Sequence, residues 1–193
     1  MDIDLIIVVV YSYLLGSIPF GLLLTRIFLK KDIRTVGSGN IGGTNVLRTG
    51  NKFLAITTLA LDLLKGYISV YITIFYFESL TFLSALICFI GHIFPIWLKF
   101  KGGKGVATYL GVILALSYKF FFVFILTWIS LSLLFRFASL SSMISTFIVF
   151  LYAYFYEMNN NILILFIFFV MILFTHKENI LRLKSSTENK IKL

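Results

Sequence analysis

The chain has 193 residues, 60% of them hydrophobic and only 13% charged, with a mean hydropathy of +1.00. A water-soluble fold of this size cannot hide that much apolar surface, which excludes a soluble enzyme or binding module and requires lipid to cover the remainder. The net charge of +9 fits basic loops at one membrane face rather than a nucleic-acid site, because no basic stretch is long or free of apolar neighbours.

A helix needs ~17–25 apolar residues to cross a bilayer. The first such stretch, Leu5–Leu29, is too long for a cleaved signal and has no positive segment before it, so it is expected to remain as a span. Gly16, Pro19 and Gly21 within it mark a packing kink. The second span, Leu54–Phe77, carries Asp62 and Lys65 three residues apart, a pair expected to face the protein interior. The third, Leu80–Leu98, contains Pro95 and the lone Cys88, a small core residue that leaves no partner for an intrachain disulfide. Span four, Gly105–Ser117, is short. It leads into span five, Phe120–Phe135, and the two read either as tilted helices or as one broken pair. Leu140–Tyr156 is span six, and a short span seven runs over Ile162–Thr175. The expected fold is an all-α membrane protein of about seven transmembrane helices, forming one domain over 1–193 with no internal repeat.

Seven spans put the termini on opposite sides, and positive charge sets which side is which. Lys30, Lys31, Arg34, Arg48, Lys52, Lys99, Lys101, Lys104, Arg136, Lys177, Arg182, Lys184, Lys190 and Lys192 fall on one side, fourteen of the seventeen basic residues. The other side holds Lys119 with Asp2, Asp4, Glu78 and Glu157. The N-terminus is therefore expected outside and the C-terminus in the cytoplasm.

Three polar segments on the expected cytoplasmic side could carry chemistry. In the first, Gly37-Ser38-Gly39-Asn40-Ile41-Gly42-Gly43-Thr44-Asn45-Val46-Leu47-Arg48, four glycines within seven residues free the backbone to curl around an anion. Ser38, Asn40, Thr44 and Asn45 add neutral donors, and Arg48 adds a fork suited to phosphate. Phosphate binding is favoured over a merely flexible loop. Gly37, Gly39 and Gly42 spell G-x-G-x-x-G, but no strand precedes them and no βαβ unit fits. The second segment runs from Gly91 to Thr108 and centres on Gly102-Gly103-Lys104-Gly105, which permits close backbone approach around an ammonium but lacks P-loop spacing. Lys104 is its best ligand candidate, while Lys99 and Lys101 also suit lipid headgroups. His92 reads equally as a buried, hydrogen-bonded histidine or as a catalytic one. The third segment is His176-Lys177-Glu178-Asn179-Ile180-Leu181-Arg182-Leu183. His176 and Asn179 share a helix face and could orient a hydroxyl or phosphate; equally, the segment reads as an amphipathic tail on the membrane. Ser139, Ser141 and Ser142 cluster at the start of span six as donors or caps.

No His, Cys, Asp and Glu set has metal-ligand spacing, and no cofactor is expected. No Ser-His-Asp set is obvious in the sequence. The H-x-x-x-x-D signature of many lipid acyltransferases is missing too: the fifth residue after His92 is Trp97, and after His176 it is Leu181.

Together these segments resemble the bacterial acyl-phosphate-dependent glycerol-3-phosphate acyltransferases. The resemblance extends over Leu15–Gly21, Asp32-Ile33-Arg34, the Gly37–Arg48 loop, Asp62–Gly66, Gly91–Thr108, Ser139–Ser142 and the His176–Leu183 tail. Gly43 stands where alanine is more usual, Lys177 where arginine is usual and Ser186 where glycine is typical. The resemblance implies transfer of an acyl group from acyl-phosphate to glycerol 3-phosphate, giving lysophosphatidic acid and inorganic phosphate, in the bacterial inner membrane with the active site facing the cytoplasm. It further implies that the loop of Gly37, Ser38, Gly39, Asn40, Gly42, Gly43, Thr44 and Asn45 cradles the acyl-phosphate head. Arg48, Lys104 with Gly102 and Gly103, Ser141, Ser142, His176 and Asn179 would then surround glycerol phosphate. Membrane lipid is the expected surrounding, and no nucleic acid or obligate protein partner is inferred. A substrate-assisted proton transfer and a His176 general base both remain open. The alternative class is a lipid or organic-phosphate transporter, which would also have broken spans and an anion site.

Overall fold

A computed structural model of the chain describes residues 3–157 and 162–191. Asp2 and Lys192, used above to orient the spans, lie outside the described residues, as does the side chain of Glu157. The described residues form ten α-helices joined by short 3₁₀ and π turns, with no strand among them. They gather into two compact units, Met1–Ala115 and Leu116–Leu193. The chain is an integral membrane protein, as its apolar helices require.

Every apolar stretch in the sequence is helical. Four helical segments are long and apolar enough to cross a membrane, or up to six if each of two bent helix pairs counts as one span. The first expected span is one of the bent pairs: α1 (Ile3–Ser17) and α2 (Phe20–Leu29) meet at 40°. Pro19 causes the bend, since it has no N–H to donate and disfavours helical geometry at Ile18. α4 (Lys52–Tyr76) is a continuous 25-residue helix, and Asn51 starts it by accepting from the Leu54 amide. α5 (Thr81–Ile93) follows. α6 (Val106–Leu116) has 11 residues, ~16 Å of helix against a hydrocarbon core of ~30 Å.

In the first unit α1 packs on α5 and α4 through small residues. A Cβ at Gly16 would lie 2.0 Å from the Cys88 carbonyl oxygen, and one at Gly91 2.7 Å from that of Tyr13. This is the close approach that membrane helices use when apolar burial alone gives no attraction. Buried hydroxyls tie the same helices together: Ser12 bonds Ser84 at 2.9 Å, Ser84 bonds Ser69 at 3.1 Å, and Tyr11 meets Thr73. A separate apolar cluster of Leu22, Ile33, Ile41, Val46, Leu54, Ala55 and Leu98 closes one end of the unit. Because Ile41 and Val46 belong to the first polar loop and Leu98 leads into the second, both loops emerge at this same end.

In the second unit α7 (Tyr118–Phe135) packs on α8 (Ala138–Tyr152), which packs on α9 (Ile162–Thr175). Phe147 and Phe150 of α8 stack against Phe169 and Phe166 of α9, with ring centroids 4.9 and 5.4 Å apart. A π-helical turn, Ala153–Glu157, extends α8. α10 (Lys177–Lys184) leaves α9 at 60°, the second bent pair. Ser117, between α6 and α7, is extended (φ −164°, ψ 125°), which breaks the helical run between spans four and five.

Candidate active site

The first loop curls because Gly37 and Gly39 take the left-handed conformation, at φ +55° and +69°, which costs a residue with a Cβ about 1–2 kcal/mol. Asn45 holds the curl. Its Oδ1 accepts from the Ser38 amide at 3.0 Å, and its Nδ2 donates to the carbonyls of Ile33, Val36 and Asn40 at 3.1, 2.9 and 2.8 Å. Asn45 is only 2% exposed, so it shapes the loop from beneath, while Ser38 and Thr44 are exposed above it. The Gly42 amide donates to Asn40 Oδ1 at 2.8 Å. Arg48 follows the five-residue helix α3 (Gly43–Leu47) and returns over Gly37: a Cβ there would sit 2.7 Å from Arg48 Cδ and 3.0 Å from Nη1. A guanidinium beside a glycine-rich turn suits a phosphoryl group. Just before the loop, Asp32 accepts from Arg34 (backbone 3.0 Å, Nε 2.9 Å, Nη2 2.6 Å) and from Arg26 Nη2 at 2.8 Å. The Arg34 guanidinium, with Arg26 behind it, holds the Asp32 carboxyl well below the usual range against a smaller opposing effect of burial.

The second loop folds back over the end of α5. The Gly102 amide donates to the Ile93 carbonyl at 2.9 Å and the Gly103 amide to that of His92 at 3.1 Å. A Cβ at Gly102 would lie 2.1 Å from the His92 carbonyl oxygen, and one at Gly103 would lie 2.1 Å from His92 Nε2, so that the ring would have to shift. Lys104 comes next and is half-buried. His92 is buried, with Nδ1 3.7 Å from Asp62 Oδ1.

In the second unit His176 is 3% exposed, and its Nδ1 lies 2.8 Å from the Ile172 carbonyl oxygen. A carbonyl only accepts, so Nδ1 carries the proton, and in the neutral ring Nε2 holds the lone pair. Three residues on, Asn179 donates to Glu188 Oε1 at 2.6 Å. Ser139 donates to the same oxygen at 2.7 Å, and Arg182 Nε to Oε2 at 2.7 Å. Burial pushes the Glu188 carboxyl upward, but the hydrogen bonds from Asn179, Arg182 and Ser139 outweigh it and hold the carboxyl below the ordinary glutamate range. Ser141 and Ser142 are buried on α8. Their hydroxyls donate back to the Phe137 and Ala138 carbonyls at 2.9 and 2.8 Å, and Ser142 also accepts from Trp128 Nε1 at 3.0 Å.

The family model for glycerol-3-phosphate acyltransferase matches residues 6–186. The chain belongs to the glycerol-3-phosphate acyltransferase family. Members named glycerol-3-phosphate acyltransferase share 49% identity with it in Pelagibacter ubique (98% of this chain, 99% of the relative) and 46% in Mesorhizobium japonicum (99% and 98%). A crystal structure of PlsY (YgiH), an integral membrane glycerol 3-phosphate acyltransferase in its glycerol 3-phosphate form, is similar at a TM-score of 0.93. It is 35% identical, with 98% of this chain and 96% of that one covered. Its lysophosphatidic acid form matches at 0.90 and 34%, over 98% and 96%. The protein is therefore an acyltransferase, and the transporter alternative falls away.

One acidic residue of this acyltransferase escaped the sequence reading, and a second was noted there without a role. Glu188 lies nine residues past Asn179 in a polar tail, where no helical period connects them. Asp32 was visible only as part of the family pattern. The backbone at Ser186 brings Glu188 within reach. Ser186 has φ +57°, and the left-handed turn there carries the tail back toward α10. At Gly43 an added Cβ would meet Leu59 Cγ at 2.5 Å and the Ala55 carbonyl at 2.9 Å.

Proposed function

We propose that the chain acylates glycerol 3-phosphate from acyl-phosphate, releasing lysophosphatidic acid and inorganic phosphate at the cytoplasmic face of a bacterial inner membrane, with residues 1–193 acting as one catalytic domain. The observation that carries the donor assignment is the first loop: two left-handed glycines, clipped from below by Asn45, present exposed donors beside the Arg48 guanidinium. In this reading Ser38, Gly39, Asn40, Gly42 and Thr44 surround the acyl-phosphate head. Arg48 and Lys104 screen two phosphates that would otherwise repel each other. Asn45 and Gly43 set the loop's shape, Ser141 and Ser142 fix the start of α8, and His176 and Asn179 orient the acceptor hydroxyl.

The donor is a mixed anhydride, so no covalent enzyme intermediate is needed. The acceptor oxygen attacks the acyl carbon, and the bond from that carbon to the phosphate oxygen breaks. The hydroxyl proton leaves on a phosphate oxygen of the departing group. Holding donor and acceptor together contributes ~7–11 kcal/mol of the barrier reduction, and fixed donors stabilise the developing oxyanion and the leaving phosphate.

Purified protein given acyl-phosphate and labelled glycerol 3-phosphate, with no thioester present, is expected to form labelled lysophosphatidic acid. Product only when an acyl thioester replaces acyl-phosphate would refute the donor assignment.

A further inference from the structure

Beneath the Lys104 loop lies a charged group that the proposed chemistry does not use. Asp62 and Lys65 sit inside α4 at 2% and 4% exposure, with Lys65 Nζ 2.7 Å from Asp62 Oδ1. Lys65 Nζ also donates to the Ile18 carbonyl at 2.8 Å, which the Pro19 break leaves without its usual helical partner, and it lies 5.7 Å from the Phe20 ring centroid. Asp62 faces His92 Nδ1, and the Nε2 edge of that same ring lies directly against Gly103. A buried ion pair is costly to desolvate and is weak evidence of a stability role, since apolar residues of similar volume often serve as well. Within a membrane helix its presence points to function.

We propose that Lys65, Asp62 and His92 form a buried positioning series that seats the Gly102-Gly103 backbone and so fixes Lys104 for its phosphate. The series runs from the α1–α2 break to the loop: the Ile18 carbonyl and Asp62 Oδ1 hold the Lys65 ammonium by short contacts, Asp62 faces the His92 ring across 3.7 Å without a hydrogen bond, and the ring abuts the Gly103 backbone. Gly103 has no side chain, so the loop height above α5 is set by the imidazole itself. The His92 carbonyl, which accepts from the Gly103 amide, fixes the loop's direction. None of the three side chains need touch substrate. The inference rests on Lys104 being a ligand of glycerol 3-phosphate.

The test is a kinetic cycle on the purified full chain, using Lys104→Ala, His92→Phe, Asp62→Asn and the doubles with Lys104→Ala. His92→Phe and Asp62→Asn are each expected to raise KM for glycerol 3-phosphate about tenfold, the scale of a small misplacement. The KM for acyl-phosphate and kcat should stay close to wild type, while Asp62→Asn, which leaves Lys65 buried without its counter-charge, lowers the melting temperature. In the Lys104→Ala background neither change should raise KM further. Unchanged KM in the single variants, or full additivity in the doubles, overturns the positioning role while leaving Lys104 as a ligand. An unchanged KM in Lys104→Ala itself overturns the ligand reading, and the inference with it. Should a variant within the ion pair fail to fold, Gly103→Ala presses on the same ring from the loop side and is expected to show the same KM rise. A wild-type KM in a folded Gly103→Ala protein also overturns the proposal.

Discussion

Replacing Arg48 by alanine is expected to lower turnover about 10²–10³-fold, the loss seen when one preorganised donor to a developing charge is removed, while the protein still inserts and purifies normally. A unit charge 4 Å from another is worth roughly 4 kcal/mol at an effective dielectric near 20. Arg48 is exposed, so solvent screening trims that figure and places the effect in the lower half of the range. The local fold should survive, because the loop is clipped by Asn45 and by the packing of Ile41 and Val46 rather than by Arg48. Arg48→Lys keeps the charge and loses the planar fork, so it should fall between wild type and alanine. Initial rates on monodisperse detergent-solubilised protein measure both. Wild-type turnover in Arg48→Ala would remove this residue from the phosphate site.

The second large effect is expected at Glu188. Its carboxylate gathers donors from α8 (Ser139) and α10 (Asn179 and Arg182). Glu188→Ala leaves all three without their anion and frees Asn179 to rotate away from the face it shares with His176. The expected cost is about 3 kcal/mol of stability, the scale of lost hydrogen bonds to a charged group in a partly buried site, together with most of the activity. Glu188→Gln can still accept from one donor but carries no charge for Arg182, so it should be intermediate. The pH dependence follows from the depressed carboxyl. A group whose folded pKa lies below its unfolded value stabilises above the unfolded value, about 4.3 for glutamate, and loses that stabilisation as pH falls through the folded value. The gap in melting temperature between wild type and Glu188→Gln should therefore be full at pH 7 and close as the pH drops below 4. A gap that is constant with pH would show that the carboxylate's charge is not what holds the tail.

Hydropathy located the apolar helices, because the bilayer imposes a minimum apolar length on each segment, but not the five-residue α3 inside the first polar loop. Gly16, Pro19 and Gly21 marked a kink in span one, and the 40° bend is there, but its size was not legible, since the stretches on either side of a proline score the same in hydropathy however far the axis bends. The glycine density of 37–43 marked the loop, but the division of labour within it was not legible. Asn45 has the same side chain as Asn40, and only its burial against the carbonyls of Ile33, Val36 and Asn40 turns it from a ligand candidate into a clip. Ser141 and Ser142 were read as donors or caps; in a helix a serine hydroxyl finds the carbonyl four residues back, and both do so. His92 was left between a structural and a catalytic reading. Its contact with Gly103 depends on the chain doubling back after Pro95, which no spacing rule encodes.

A full matrix of initial rates, varying acyl-phosphate against glycerol 3-phosphate on the purified protein, bears most directly on direct transfer between two anions held together by the Gly37 loop, Arg48 and Lys104. Intersecting double-reciprocal lines are expected, because both substrates must be bound before the acyl group moves. Parallel lines, the mark of a covalent acyl-enzyme formed before the acceptor arrives, would contradict it.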